Sequence, residues 1–383
     1  MRALQTSHRF SRIQMIPVNR PMISEQDVLN VTNSLAATLI SGETTVVRSM
    51  EAKLAALLGV QEAIAVSNGT DALDLCIEAL DIKNNDHCVL PTFTIISSVA
   101  NLARKKAKLE LVDADPLTWS MDAAQCVNIM VDETRLVLPV HIYGLPVDMD
   151  VITEKSKQIG AFVLEDAAEA LGVKYLDRNC GSIGDAATFS FFANKIVTGG
   201  EGGAIVTDDI KFAERIRYLR NLCFNPNERF VHTELGWNSR ISGLSAALIS
   251  SQLDRMSSLI NRKRQIAELY LNGLENHPWF STQPTSVTYS ENLFWVFGIL
   301  LNPEVPMEAK EFQELLKTHE IETRRFFCPI HLQPIFGEMF SSKKGAYPIS
   351  ENLWRRGLYL PSGLGNTDSE IEYVIEKMWG FVR

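Results

Sequence analysis

The chain has 383 residues, 46% of them apolar and 22% charged, with a formal net charge of −9. That length suffices for two domains or for one large domain with a smaller lobe, and the apolar share excludes wholesale disorder. The acidic balance argues against a general binder of nucleic acid or anionic membrane, so a phosphate must be held locally by backbone donors and a few placed side chains.

Residues 1–15 read as a short disordered extension. The first 14 carry Arg2, Arg9 and Arg12 and no acid. They lack the apolar core of a secretory signal, and an extension is preferred to a transit peptide. No apolar run approaches the ~20 residues that span a bilayer. Cys76, Cys88, Cys126, Cys180, Cys223 and Cys328 are scattered and form no C-x-x-C pair. They read as reduced thiols of a cytoplasmic protein, with neither a disulfide frame nor a zinc site.

From about Pro17, helical and strand patterns alternate. Met50, Leu54, Leu57 and Leu58 predict one apolar face of a helix over 46–58. A strand over 63–67 and a helix over 71–80 follow. Further strands are predicted at 87–90, 109–113, 135–140, 161–165, 186–191 and 203–207, with an amphipathic stretch at 151–159. This alternation implies a mostly parallel sheet covered by helices, with ligands beyond the carboxyl ends of the strands. A long amphipathic stretch from 242 to 276 reads as a connector. After it come an apolar run from Phe294 to Leu301 and a helix near 307–318. The expected division is a large domain over 16–255 and a small C-terminal α+β domain over 256–383.

Three places carry chemistry. Ser67-Asn68-Gly69-Thr70 lies between a strand and a helix, where N–H groups and the helix dipole favour an anion. It reads as a phosphate cradle or as an ordinary helix cap. Asp166 ends an apolar strand; it could keep a pyridinium nitrogen protonated by ion pairing, or cap the next segment. Lys195 follows the apolar Phe189–Phe192 run and precedes the glycine-rich stretch 198–203. A poorly solvated lysine is shifted towards the neutral amine that attacks an aldehyde; the alternative is a surface lysine. The glycines lack G-x-G-x-x-G spacing and lead into a strand, which discounts a dinucleotide site. Together the three places fit pyridoxal 5'-phosphate (PLP), which needs a phosphate cradle, an acid at its ring nitrogen and a lysine at its aldehyde.

The chain resembles the DegT/DnrJ/EryC1/StrS sugar aminotransferases from about Pro17 to its C-terminus. The resemblance rests on SNGTDALDL (67–75), PTFTIISSVAN (91–101), PVHIYGLPVDMD (139–150), EDAAEALG (165–172), GSIGDAATFSFFANK (181–195), TGGEGGAIVTDD (198–209) and GWNSRIS (236–242). It implies the aspartate-aminotransferase-like α/β fold, PLP fold type I. It also implies roles. Lys195 would form the Schiff base and move the proton. Asp166 would pair with the pyridine nitrogen. Gly69, Thr70 and Ser190 would bind the cofactor phosphate, and Asn238 would reach it from the neighbouring subunit of a homodimer with shared sites. Glu169 stands where many relatives have Gln, near the phenolic oxygen, and Ile95 replaces an aromatic ring against the pyridine face. Leu39, Ser239, Ser242 and Gly243 also depart from the family pattern.

Within the family, EDAAEA, the segment 221–238 and CPIHLQP (328–334) are most similar to perosamine synthases, which aminate carbon 4 of GDP-4-keto-6-deoxymannose. That similarity implies a nucleotide-linked keto sugar as acceptor and glutamate as donor. His331 falls in the segment that approaches the sugar, and Arg229, Arg324 and Arg325 are candidates for the diphosphate or for a solvated surface. UDP- or dTDP-linked sugars, amination at carbon 3, a PLP-dependent sugar dehydratase and a non-catalytic regulatory relative are the alternatives. Lys195 argues against the dehydratases that carry His there.

Overall fold

In the computed structural model, which describes residues 15–340 and 343–382, helices α1 (Glu25–Ala36) and α2 (Thr45–Leu58) come first. Residues 1–14, with most of the expected extension, lie outside the described residues. Strand and helix then alternate as β1 (Glu62–Val66), α3 (Gly69–Ala79), β2 (His87–Pro91), α4 (Ser97–Arg104), β3 (Lys108–Val112), α5 (Ala123–Ile129), β4 (Thr134–Val137), α6 (Met149–Ile159) and β5 (Phe162–Asp166). A small hairpin, β6 (Lys174–Tyr175) and β7 (Arg178–Asn179), leads to β8 (Ala186–Ser190), β9 (Gly203–Thr207) and α7 (Ile210–Arg220).

The central sheet has seven strands in the order β1-β9-β8-β5-β4-β2-β3. Only β9 runs against its neighbours; the remaining pairings are parallel. The expected mostly parallel α/β sheet is therefore present. Its strands are buried on both faces, and β2 and β9 are buried at every position. That is why they read as continuous apolar runs instead of alternating ones.

The predicted connector over 242–276 is two helices, α8 (Gly243–Asp254) and α9 (Met256–Gly273). The break falls at Arg255, with φ −116° and ψ 22°. Its guanidinium donates to the Met22 carbonyl at 2.7 Å and to Asp27 at 2.6 Å, which pins the junction against α1. No glycine or proline marks the break, so sequence pattern alone runs through it.

The rest of the chain supplies β10 (Phe280–Ser281), β11 (Ser286–Val287), β12 (Ser290–Glu291), β13 (Phe297–Leu301), α10 (Ala309–Lys317), β14 (Arg324–Arg325), α11 (Pro348–Arg356), β15 (Gly357–Leu360) and α12 (Asp368–Gly380). An antiparallel sheet in the order β10-β13-β15-β14 packs with α9, α10 and α12 around a second apolar cluster that includes Tyr270, Phe297, Phe312, Leu358 and Val374. Ile16, grouped with the larger part by the sequence reading, packs into this second cluster. Its N–H donates to the Glu320 carbonyl at 2.8 Å, and its carbonyl accepts from the Glu322 N–H at 3.0 Å. No helix among the described residues is long and apolar enough to cross a membrane.

Candidate active site at the carboxyl edge of the sheet

The parallel strands deliver their last residues to one edge. Asp166 is the final residue of β5 and Ser190 the final residue of β8, and the segment after β1 carries Gly69 into the start of α3. Between these ends and the small lobe lies a cavity of about 730 Å³. Gly69, Thr70, Ile95, Asp166, Glu169, Ser190, Lys195 and Arg324 all line it.

One wall is the start of α3. The Asn68 side chain caps the helix by accepting from the Asp71 N–H at 2.8 Å, and Ser67 hydrogen-bonds the Asp71 carboxylate. Thr70 Oγ1 and Ser97 Oγ are 2.8 Å apart. A Cβ on Gly69 would stand 3.0 Å from the Ser190 Cβ, and one on Gly203 would stand 2.4 Å from the Asn68 carbonyl oxygen. Glycine at both positions lets the helix start, with the first-turn N–H groups of Gly69 and Thr70, close on β8 and β9.

Asp166 is buried, and its carboxylate accepts from Ser98 Oγ at 3.1 Å and from the Ala168 N–H at 3.2 Å. Burial pushes its pKa up, and these neutral donors offset it only in part. Glu165, one residue earlier, points away from the cavity chemistry. It is fully buried and accepts from His141 Nε2 at 3.0 Å, the Gly181 N–H at 2.8 Å, and the Ile183 and Gly184 N–H groups at 2.7 Å each. His141 Nδ1 accepts from the Val147 N–H at 3.3 Å, so the ring proton sits on Nε2.

Lys195 Nζ stands 3.7 Å from Glu169 Oε1. It also stands 3.7 Å from the centroid of the Trp295 ring. Burial pushes the lysine down towards the neutral amine, against the pull of Glu169 and Asp166. Burial likewise pushes Glu169 up, to about 7, although Lys195 and the Tyr143 N–H, which donates at 2.9 Å, favour its ionised form. The two groups are a buried pair in which both ionic forms are disfavoured by desolvation.

The sequence profile of the DegT/DnrJ/EryC1/StrS aminotransferase family matches residues 21–379. A GDP-perosamine synthase of Escherichia coli O157:H7 is 34% identical over 96% of this chain and 98% of its own length. One from Caulobacter vibrioides is 33% identical over 95% and 98%. Among solved structures, an aminotransferase, TlmJ, from Streptoalloteichus hindustanus superposes with a TM-score of 0.89 at 27% identity, covering 96% of this chain and 99% of that one. The chain belongs to the DegT/DnrJ/EryC1/StrS family. It is a PLP-dependent sugar aminotransferase of fold type I.

The residues present fit that cofactor. Asp166 is a buried acid whose direct partners are neutral, the glycine-bounded helix start opens on the same cavity, and the Lys195 amine is desolvated. Not every residue named from the sequence reaches the cavity. Asn238 and Arg229 line a separate cavity of about 380 Å³ with Ser41, Glu43 and Arg240. Arg229 lies over the Phe224 ring at 4.7 Å. Arg325 donates to the Trp354 carbonyl at 3.1 Å and covers that indole ring. His331 is buried, with Nδ1 2.7 Å from Thr92 Oγ1 and Nε2 3.1 Å from Glu351 Oε1. Both its ring nitrogens are engaged inside the fold, and it is not among the residues that line the cavity. Of Arg229, Arg324 and Arg325, Arg324 alone lines the cavity.

Two of the departures from the family pattern, Ser242 and Gly243, have local explanations. Ser242 caps α8 by accepting from the Ser245 N–H at 3.1 Å. A Cβ on Gly243 would stand 2.1 Å from the Leu39 carbonyl oxygen, so the two backbones cross there. Sequence reasoning missed Trp295, Asn194, Phe327 and Tyr359, which all line the cavity. Trp295 sat inside the apolar run 294–301, whose only signal was that of a core strand.

Proposed function

We propose that this aminotransferase installs an amine at carbon 4 of a nucleotide-linked 4-keto-6-deoxy sugar, with GDP-4-keto-6-deoxymannose as the first candidate and glutamate as donor. The observation that carries the reading is the likeness to the GDP-perosamine synthases over nearly the whole of both chains, at 30–34% identity. The intact Lys195, in place of the His of some sugar dehydratases, supports transamination.

When bound, PLP supplies an electron sink for the pair left by a broken C–H bond. The chain's residues do the rest. Gly69, Thr70 and Ser190 would hold the phosphate, Asn238 of the partner subunit would join them, and Ile95 would cover one ring face. Asp166 would keep the ring nitrogen protonated. Lys195, as a free amine, would take a proton from one carbon and return it to the other, a task for an amine whose pKa is drawn down from its solution value. Glu169 would stand at the phenolic oxygen. Arg324 is the guanidinium on the cavity wall and supports anchoring of an anionic substrate group there.

The test is a product analysis. The enzyme is incubated with glutamate and a panel of GDP-, UDP- and dTDP-linked 4-keto and 3-keto sugars, and products are identified by mass and NMR. A GDP-linked 4-amino product is the expected result. Amination at carbon 3, or turnover with free keto acids alone, overturns the reading.

A further inference from the structure

Trp295 enters the active site from the small lobe, two residues before β13, and is 4% exposed. Its Nε1–H donates to the Asn194 carbonyl at 3.1 Å, and Asn194 is the residue before Lys195. Its ring centroid stands 3.7 Å from Lys195 Nζ. The Tyr143 ring is stacked on it at 6.3 Å and 24°. One indole thus holds the backbone carbonyl just before the lysine through its edge and the lysine's amine through its face.

We infer that Trp295 is a positioning residue that holds the free Lys195 amine at the cavity wall and favours its ammonium form. The inference rests on the proposed role of Lys195 as the group that takes up and returns the proton. A cation over an aromatic face is stabilised, and most strongly where water is excluded. The other charged or titratable groups lining the cavity, among the described residues, are Asp71 on α3, Asp166 at the end of β5, Glu169 beyond it, Glu201 ahead of β9, Arg324 on β14 and Tyr359 on β15. Of these, Glu169 is the one in ion-pair range, and its own burial disfavours the charge it would offer. Trp295 attracts the ammonium without carrying a charge that must itself be desolvated. The indole N–H bond to Asn194 keeps the ring in register with the lysine. The proton that Lys195 picks up then stays on an amine fixed in place.

The test reads the lysine itself. Full-length protein stripped of cofactor is labelled competitively with acetic anhydride across pH, and acetylation of the Lys195 peptide is quantified by mass. Trp295→Leu is expected to move the labelling midpoint of Lys195 down by about one pH unit. Protein grown with 5,7-difluorotryptophan at all six tryptophans keeps the indole N–H and nearly the same shape but has an electron-poor ring face. It is expected to shift the midpoint in the same direction by a smaller amount. An unchanged midpoint in the fluorinated protein overturns the inference, and that arm decides the matter if Trp295→Leu does not fold by circular dichroism. No sugar is present in this experiment, so a failure of the sugar assignment leaves its outcome untouched.

Discussion

Lys195 lies under opposing influences: desolvation pushes it neutral, while Glu169, Asp166 and the Trp295 face hold its charge. An amine poised in this way can be base and acid in turn. Lys195→Ala should therefore cost about 10²–10⁴-fold through lost proton transfer alone, with the lost covalent exchange adding to it. Borohydride treatment of the loaded enzyme should leave the cofactor on the peptide carrying Lys195; labelling of another lysine would contradict the assignment. His331 shows the opposite case. Its motif position pointed to a ligand, but Thr92 and Glu351 occupy both its nitrogens, and burial holds its pKa below that of a free histidine. It ties the 328–334 segment to the end of β2 and to α11.

At the scale of elements, β5 does two jobs with adjacent carboxylates. Asp166 faces the cavity, and Glu165 ties β5 to the 181–184 turn and to His141. Burial alone would raise the pKa of Glu165, but the His141 hydrogen bond and the Gly184 and Gly181 amides overcome it and hold the pKa below the usual range. A depressed carboxylate stabilises the fold above its unfolded value of 4.5, and that stability is lost as pH falls through the lower folded value. Glu165→Gln should cost about 1–3 kcal/mol in urea denaturation at pH 7, with a smaller deficit as pH falls below 4.5. A deficit independent of pH would show that the carboxylate's charge is not what matters. The strands of the main sheet were legible because burial on both faces leaves short apolar runs between turn residues; β9 matches its prediction at both ends. Helix α1 was missed. Val28, Val31 and Leu35 are spaced as one helical face and Ser24 with Asp27 forms a capping box, but the stripe is short and is largely exposed in the single chain, where the buried residues are Asp27 and Ser34, so it was passed over. The two-residue strands of the small lobe carry too little pattern to read. In the site, Asp166 and Lys195 were legible because their neighbours have a strong local signature, whereas Trp295 reaches Lys195 only through tertiary packing.

At the scale of the whole molecule, Asn238 and Arg229 stand in their own cavity, away from Lys195 in the single chain. Phe230 and Leu235 between them are 80% and 90% exposed, apolar surface that a second copy would cover. The proposed dimer with shared sites makes a quantitative prediction. Equal mixing of Lys195→Ala with Asn238→Ala subunits places one intact site in each mixed dimer, so roughly a quarter of wild-type activity should return. No recovery, once subunit exchange is confirmed, would count against a shared site. The small lobe is also reached from the large one by two chain crossings near α1. Residues 16–20 run along it, with Ile16 in its core and Arg20 paired with Glu370 at 2.8 Å, before the chain crosses to α1. The second crossing is the α8–α9 break, where Arg255 holds Met22 and Asp27, so the two crossings are laced to one another. A body attached at one point can swivel in any direction; a body attached at two can turn only about the line between them. The small lobe hangs on two such points but is also bolted shut: Trp295, Phe326 and Tyr359, which it carries, pack into the core of the large lobe, and Trp295 is held against Lys195.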